Sequence, residues 1–182
     1  MNTYIGIDLG TSSVKLLLVN SGGEILAEAT ESYAVSYPKS CWSEQNPQDW
    51  WIAVNIAMHN LLQGQDSKTV KAISFGGQMH GLVVLDKDDK VIRPCILWND
   101  GRTQKQVDYL NEVIGKDKLL EYTANIAFAG FTAPKIMWLK ENEKKNYNRI
   151  ARIMLPKDYI AYKLSGVHST DYSDASGTLL LD

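Results

Sequence analysis

Three strand-like runs follow one another at the N-terminus, residues 4–9, 14–20 and 25–33, and only short polar turns separate them. Turns that tight join neighbouring strands as hairpins, so the chain starts as a strand–turn–strand repeat. The first turn carries unusual chemistry. An apolar strand ends in Asp8, and Gly10 then opens a hydroxyl-rich stretch, Thr11-Ser12-Ser13, ahead of Lys15. Gly10 has no Cβ, so backbone N–H groups can come close to an anion, and each hydroxyl can donate a hydrogen bond. Asp8 would be repelled by bare phosphate. It makes sense beside one only with a cation between them, for which Mg²⁺, a hard ion that favours oxygen ligands and water, is the usual mediator. Lys15 would offset phosphate charge across the turn. The segment alone supports equally an ordinary hairpin with a polar tip, because such tips often hold Gly, Ser and Thr.

Past a loop over residues 38–44 the period changes. Asn46 is placed to cap a helix, with Pro47 at its first position and Asp49 near the positive end of the dipole. Trp50, Val54, Ala57, Met58 and Leu61 follow at helical spacing and Gly64 closes the run, so one of Trp50 and Trp51 is expected in the core. Strands are expected at 70–75, ending in Gly76-Gly77, and at 82–85, ahead of a turn at 86–90. From Gln104 the pattern is mainly helical: Val107, Leu110 and Ile114 before Gly115, then 136–141, then 158–164 before Gly166. The last apolar run, residues 178–181, reads as a strand in want of neighbours. A three-stranded start, a helix and a returning strand point to an α/β fold of the ribonuclease H-like (actin/hexokinase) type, with a mixed sheet flanked by helices.

Composition narrows the partners. With 45% hydrophobic and 22% charged residues in 182, there is enough chain for one domain with a real core, or for a domain and part of another. A formal net charge of −2 leaves no basic surface for nucleic acid. No apolar run is long enough to span a membrane, and the N-terminus lacks the features of a signal peptide. Cys41 and Cys95 lie far apart without paired spacing and read as reduced, buried thiols of a cytoplasmic protein.

Five further segments carry a resemblance. Gly77-Gln78-Met79-His80-Gly81, Trp98-Asn99-Asp100-Gly101-Arg102, Phe131-Thr132-Ala133-Pro134-Lys135, Leu155-Pro156-Lys157-Asp158-Tyr159 and Ser173-Asp174-Ala175-Ser176-Gly177-Thr178 occur in that order. Together with the first turn they resemble the FGGY family of carbohydrate kinases, and within it the xylulokinases. The resemblance runs from Tyr4 to the last residue and favours the nucleotide-site reading of the turn. It implies ATP and Mg²⁺ as cofactors and transfer of the γ-phosphoryl group to the 5-hydroxyl of D-xylulose, with a homodimer allowed. It also implies that residues 1–182 form most of an N-terminal kinase domain. The general base and the adenosine-binding C-terminal domain are then expected beyond residue 182, and the chain alone is expected to be inactive. By position, Asp8 resembles the metal-associated carboxylate, Gly10, Thr11, Ser12, Ser13 and Lys15 the loop near the phosphates, and Met79 and His80 the pair that meets the sugar, with Gln78 beside them.

Side-chain chemistry agrees in part. His80 sits between residues that let the backbone approach a ligand, its ring nitrogens suit a sugar hydroxyl, and Met79 would wall the carbon skeleton. Trp98, Asn99, Asp100 and Arg102 could line the same pocket, or Trp98 could be core and Arg102 could tie down Asp100 as a structural ion pair. Lys157-Asp158 reads as a structural helix start, and Asp171 and Asp174 as turn residues. His59 and His168 have no partner at metal-ligand spacing, so no zinc site is expected. Kinases for L-ribulose, gluconate or glycerol are the near alternatives, and a non-catalytic sugar-sensing module or an actin-like ATPase the distant ones. An intact Asp8-x-Gly10-Thr11 weighs against the sensing module, and Gln78-Met79-His80 against the ATPase.

Overall fold

A computed structural model describes residues 1–181. The N-terminal meander forms as expected: β1 (Thr3–Leu9), β2 (Ser13–Asn20) and β3 (Ile25–Ser32) pair antiparallel. Alternation decides which face is covered. Ile5, Ile7 and Leu9 of β1 and Val14, Leu16 and Leu18 of β2 point to one side and are buried, while Tyr4, Asp8 and Lys15 point to the other and are exposed. A two-residue strand, β4 (Glu44–Gln45), leads into helix α1 (Pro47–Leu61). The Asn46 side chain accepts from the Gln48 amide at 3.1 Å, capping the helix where the sequence places the cap. Trp50, Ala53, Val54, Ala57 and Leu61 of α1 then close over the apolar face of the sheet.

The chain returns through a short 3₁₀ turn to β5 (Val70–Gly77), which lies parallel to β1 and completes a sheet of order β3-β2-β1-β5. This mixed sheet, with helix on one face, is the α/β arrangement expected. A smaller layer follows. β6 (Val83–Leu85) and β7 (Cys95–Ile96) flank the predicted turn, and β7 pairs with β4. Next come α2 (Gln104–Asp108), a π-helical stretch (Tyr109–Gly115), α3 (Lys116–Thr123), α4 (Thr132–Asn142) and the single turn α5 (Lys144–Tyr147). β8 (Arg152–Met154) pairs with β6, and α6 (Pro156–Ser165) and the short α7 (Tyr172–Ala175) end the fold. No helix among the described residues is long and apolar enough to cross a membrane.

Three expectations need correction. The run at 178–181 is not a strand: Ser176–Thr178 is a 3₁₀ turn, and Leu179, with φ 61°, tucks its side chain into a cluster with Val107, Leu119 and Ala127. Leu179 therefore already has neighbours in the helical layer, while Leu180 stays exposed. Cys95 is buried and its thiol is pushed up to about 12 by desolvation, but Cys41 is exposed, and both are free. The helical pattern also continues past Gly115 into α3, because that glycine, at φ 99°, redirects the chain without ending the layer.

Leu16 lies wholly buried at the centre of the sheet's covered face. Leu16→Ala is expected to lower the unfolding free energy by about 2–5 kcal/mol, read from urea denaturation followed by circular dichroism.

Candidate functional site

The β1–β2 connection is a hairpin whose tip, Gly10-Thr11-Ser12, is held from outside. The Gly10 amide donates to Ser13 O at 3.0 Å, and a Cβ on Gly10 would press on that same oxygen at 3.0 Å. Tyr33 Oη donates to Gly10 O at 2.6 Å and the Tyr33 amide to Ser12 O at 3.1 Å, so the end of β3 braces the tip. Burial, with the Asp8 carboxylate nearby, raises the Tyr33 hydroxyl well above its ordinary value and keeps it a neutral donor. The amides of Thr11 and Ser12 have no protein partner among the described residues. An exposed carboxylate, Asp8, stands beside them. Free N–H groups next to a carboxylate suit an anion bridged by a hard cation. Among the described residues no cluster of three or more His, Cys, Asp or Glu exists to hold a metal. At the tip Asp8 is the carboxylate that could hold Mg²⁺, given phosphate and water as the remaining ligands, a division that ion accepts. Lys15 sits opposite Asp8 in the β1–β2 register, but its ammonium is engaged with Glu28 at 3.0 Å on β3.

Parallel pairing of β1 and β5 brings Gly76 beside Asp8 and Gly77 beside Leu9. The Gln78 amide then donates to Leu9 O at 2.7 Å, and a Cβ on Gly77 would meet Leu9 backbone and side chain at 3.0 Å. Asp8, Gly10, Thr11, Gly77, Gln78, Met79 and Trp98 line one open cleft of about 350 Å³. Met79 and Trp98 are half exposed, and Trp98 Nε1 donates to Thr11 Oγ1 at 3.1 Å, so the indole is a wall of the cleft and not core. Gln78 is buried, and its Oε1 has no partner among the described residues. His80 follows with its ring against Phe131, centroids 4.5 Å apart. Burial, assisted by the Lys135 charge and opposed by Asp174, lowers its pKa and favours the neutral imidazole.

The two readings of Trp98-Asn99-Asp100-Gly101-Arg102 are divided by the structure. Asn99 is exposed next to Trp98, whereas the side chains of Asp100 and Arg102 are turned inward. Arg102 donates to both Asp100 oxygens, at 2.8 and 2.7 Å, its Nη1 lies 2.7 Å from Glu44 Oε1, and its guanidinium stacks 3.7 Å from the Trp42 ring. Asp100 also accepts from the Ser43 amide at 2.6 Å. Of the two expectations, the structure has the ion pair: Asp100 and Arg102 shape the loop presenting Trp98, and neither lines the cleft.

Residues 3–182 match the model of the FGGY family of carbohydrate kinases, N-terminal domain. The chain belongs to that family. It is 47% identical over 180 residues to the xylulose kinase of Staphylococcus xylosus, covering 99% of this chain and 37% of that protein. It is 46% identical over 183 residues to the xylulose kinase of Bacillus subtilis, covering 100% and 36%. A crystal structure described as a xyloylose kinase from Brucella ovis superposes with TM-score 0.93 at 40% identity, over 99% of this chain and 38% of that one. Ligand-bound xylulose kinase from Lactobacillus acidophilus gives TM-score 0.94 at 27% identity, over 100% and 37%. The chain thus spans little more than a third of the length of these FGGY relatives.

Sequence reasoning missed Gln45 and Lys135. Gln45 is buried; it accepts from Trp50 Nε1 and Gln78 Nε2, both at 3.0 Å, and donates to Thr11 O at 2.7 Å and Ala34 O at 3.2 Å. The one signal for it was Trp50, whose buried N–H requires an acceptor. Lys135, read only as part of a motif, is fully buried with its ammonium on two backbone carbonyls. Lys157 also has more partners than a helix start requires, with Asp158, Asp171 and Asp174 all within 3.4 Å.

Asp100→Ala leaves the Arg102 charge buried without its main partner and is expected to cost about 3–5 kcal/mol of stability. Asn99→Ala, on the exposed side of the same loop, is expected to shift the denaturation midpoint negligibly.

Proposed function

We propose that this chain forms the sugar-binding and phosphate-facing part of an ATP-dependent kinase that phosphorylates D-xylulose at its 5-hydroxyl. The observation that carries the reading is one cleft lined together by the Asp8 carboxylate, the Gly10-Thr11 tip, Gln78, Met79 and Trp98. Gln78 brings an unpartnered Oε1 to the cleft wall, the neutral His80 ring offers its Nε2 to a hydroxyl, and the Met79 and Trp98 surfaces cover C–H groups. Mg²⁺-ATP supplies the transferable γ-phosphoryl group and the cation that offsets its charge. Asp8 orients that cation, and the Thr11 and Ser12 amides bind phosphate oxygens at the hairpin tip. The preference for D-xylulose rests on Gln78-Met79-His80 and on the likeness to xylulose kinases.

Phosphoryl transfer also needs a carboxylate to take the proton of the attacking hydroxyl. The buried carboxylates near the cleft are committed: Asp100 to Arg102, Glu44 to Arg93 and Arg102, Asp158 to Lys157. Asp8 faces phosphate and its charge serves the metal. We therefore assign the base, and the adenosine site, to polypeptide outside this chain.

With Mg²⁺ and ATP, the full-length protein is expected to release ADP in response to D-xylulose in strong preference to L-ribulose, gluconate and glycerol, and His80→Ala is expected to weaken that preference at least tenfold. Preference for another polyol would keep the kinase and overturn the sugar. No turnover with any of the four would favour a sugar-sensing module. The 182-residue chain alone is expected to show no sugar-dependent ATP turnover; turnover abolished by Asp8→Ala would refute the assignment of the base elsewhere.

A further inference from the structure

His80 adopts φ 61°, a left-handed backbone in which an L side chain is strained. Such a conformation persists only where its surroundings hold it. Here the holder is Lys135. Its ammonium donates to His80 O and to Gly130 O, both at 2.7 Å, and Thr132 Oγ1 adds a third contact to His80 O at 3.2 Å. Lys135 is fully buried, and these two carbonyls are its only hydrogen-bond partners among the described residues. A buried ammonium without a carboxylate is a costly choice where methionine would fill the space. Desolvation draws its pKa down to about 7. The lysine ties the segment before His80's ring to the loop that begins α4, and from that loop Phe131 covers one face of the imidazole.

Gly177 packs against the Cε1–Nδ1 edge of the ring. A Cβ there would lie 2.5 Å from His80 Cε1 and 2.9 Å from Nδ1, so the ring keeps its place only because residue 177 has no side chain. His80 Nδ1 is buried against the Gly177 backbone. We infer that Lys135 is a positioning residue: by gripping the His80 carbonyl, against the stop set by Gly177, it fixes the orientation in which the imidazole meets a polyol hydroxyl. The inference rests on the proposed sugar site and adds that sugar recognition depends on a residue that never touches the sugar.

The test compares full-length protein carrying Lys135→Met, Gly177→Ala, His80→Ala, and Lys135→Met combined with His80→Ala, in steady-state phosphorylation of D-xylulose. Lys135→Met is expected to raise KM for the sugar about tenfold or more and to leave KM for ATP unchanged. Gly177→Ala should act in the same direction, and the double variant should be no worse than His80→Ala alone, because both changes act through one side chain. An unchanged sugar KM in Lys135→Met, or an effect that multiplies in full with that of His80→Ala, overturns the inference. The His80 imidazole ¹H–¹³C resonance gives a readout without turnover: it should move in Lys135→Met and in Gly177→Ala, and a resonance that stays put in both is a refutation. Should Lys135→Met not fold, Gly177→Ala and its resonance decide. If the unaltered protein phosphorylates no polyol, the proposed reaction falls, while the resonance still judges Lys135.

Discussion

Gln45 uses every hydrogen-bonding position it has, and each use fixes a different part of the cleft. Its oxygen takes the indole N–H of Trp50 and the amide of Gln78, and its nitrogen gives one hydrogen to Thr11 O and one to Ala34 O. A carboxamide has two acceptor and two donor positions, so none is left over. Trp50 is anchored in the core beneath α1, which makes Gln45 the link between packing energy and the placement of polar groups at the hairpin tip and after β5. Inside a protein such a network stiffens what it joins, because an opened bond leaves a buried polar group unpaired. The walls of the cleft are thus held to one another by the fold's own hydrogen bonds.

Glu44, the neighbour of Gln45 in β4, does for the outer wall what Gln45 does for the floor. Successive strand residues point to opposite sides. Glu44 therefore meets Arg102 and Arg93, with Arg93 continuing to Glu143 at 3.1 Å. Arg102 is held by Asp100, Glu44 and the Trp42 face together, a demand on a planar, permanently charged fork that lysine would not meet. The loop between Leu97 and Thr103 is fixed by this ion network, and Trp98 is left free to stand against Thr11. Two adjacent residues of one short strand thereby set both sides of the site.

Much of this was legible in the sequence because it rests on local rules. The short polar turns gave the strand–turn–strand start, and Asn46-Pro47-Gln48-Asp49 marked the helix start with no tertiary knowledge. What stayed hidden depends on distant partners. Nothing near Asp100 and Arg102 decides between a ligand-facing and an inward pair, since Ser43, Glu44 and Trp42 settle it from far along the chain. Leu179 belongs to a cluster gathered from α2, α3 and the segment after it, so an apolar run of strand-like composition became a turn. Lys135 lies in a helical stretch where a lysine ordinarily signals solvent, and only the carbonyls of His80 and Gly130 explain its burial.

The direction of β5 is the topological fact on which the site turns. Because β5 runs parallel to β1, both strands end at the same edge, and Asp8 with the hairpin tip stands next to Gly76, Gly77 and Gln78. Ligands in α/β sheets gather at the carboxyl ends of parallel strands for this reason: the chain leaving each strand is free to carry chemistry, and several such exits converge. Reversing β5 would carry Gln78-Met79-His80 to the far end of β1, about 20 Å away at the usual rise per strand residue. Helix α1, with the turn after it, is what makes the crossover possible, since a parallel partner cannot be reached through a hairpin. The meander supplies the Gly10-Thr11-Ser12 tip, and the crossover sets the segment after Gly77 beside it. Neither would form a cleft without the other, which is why the motifs that carry this site are separated by the whole length of α1.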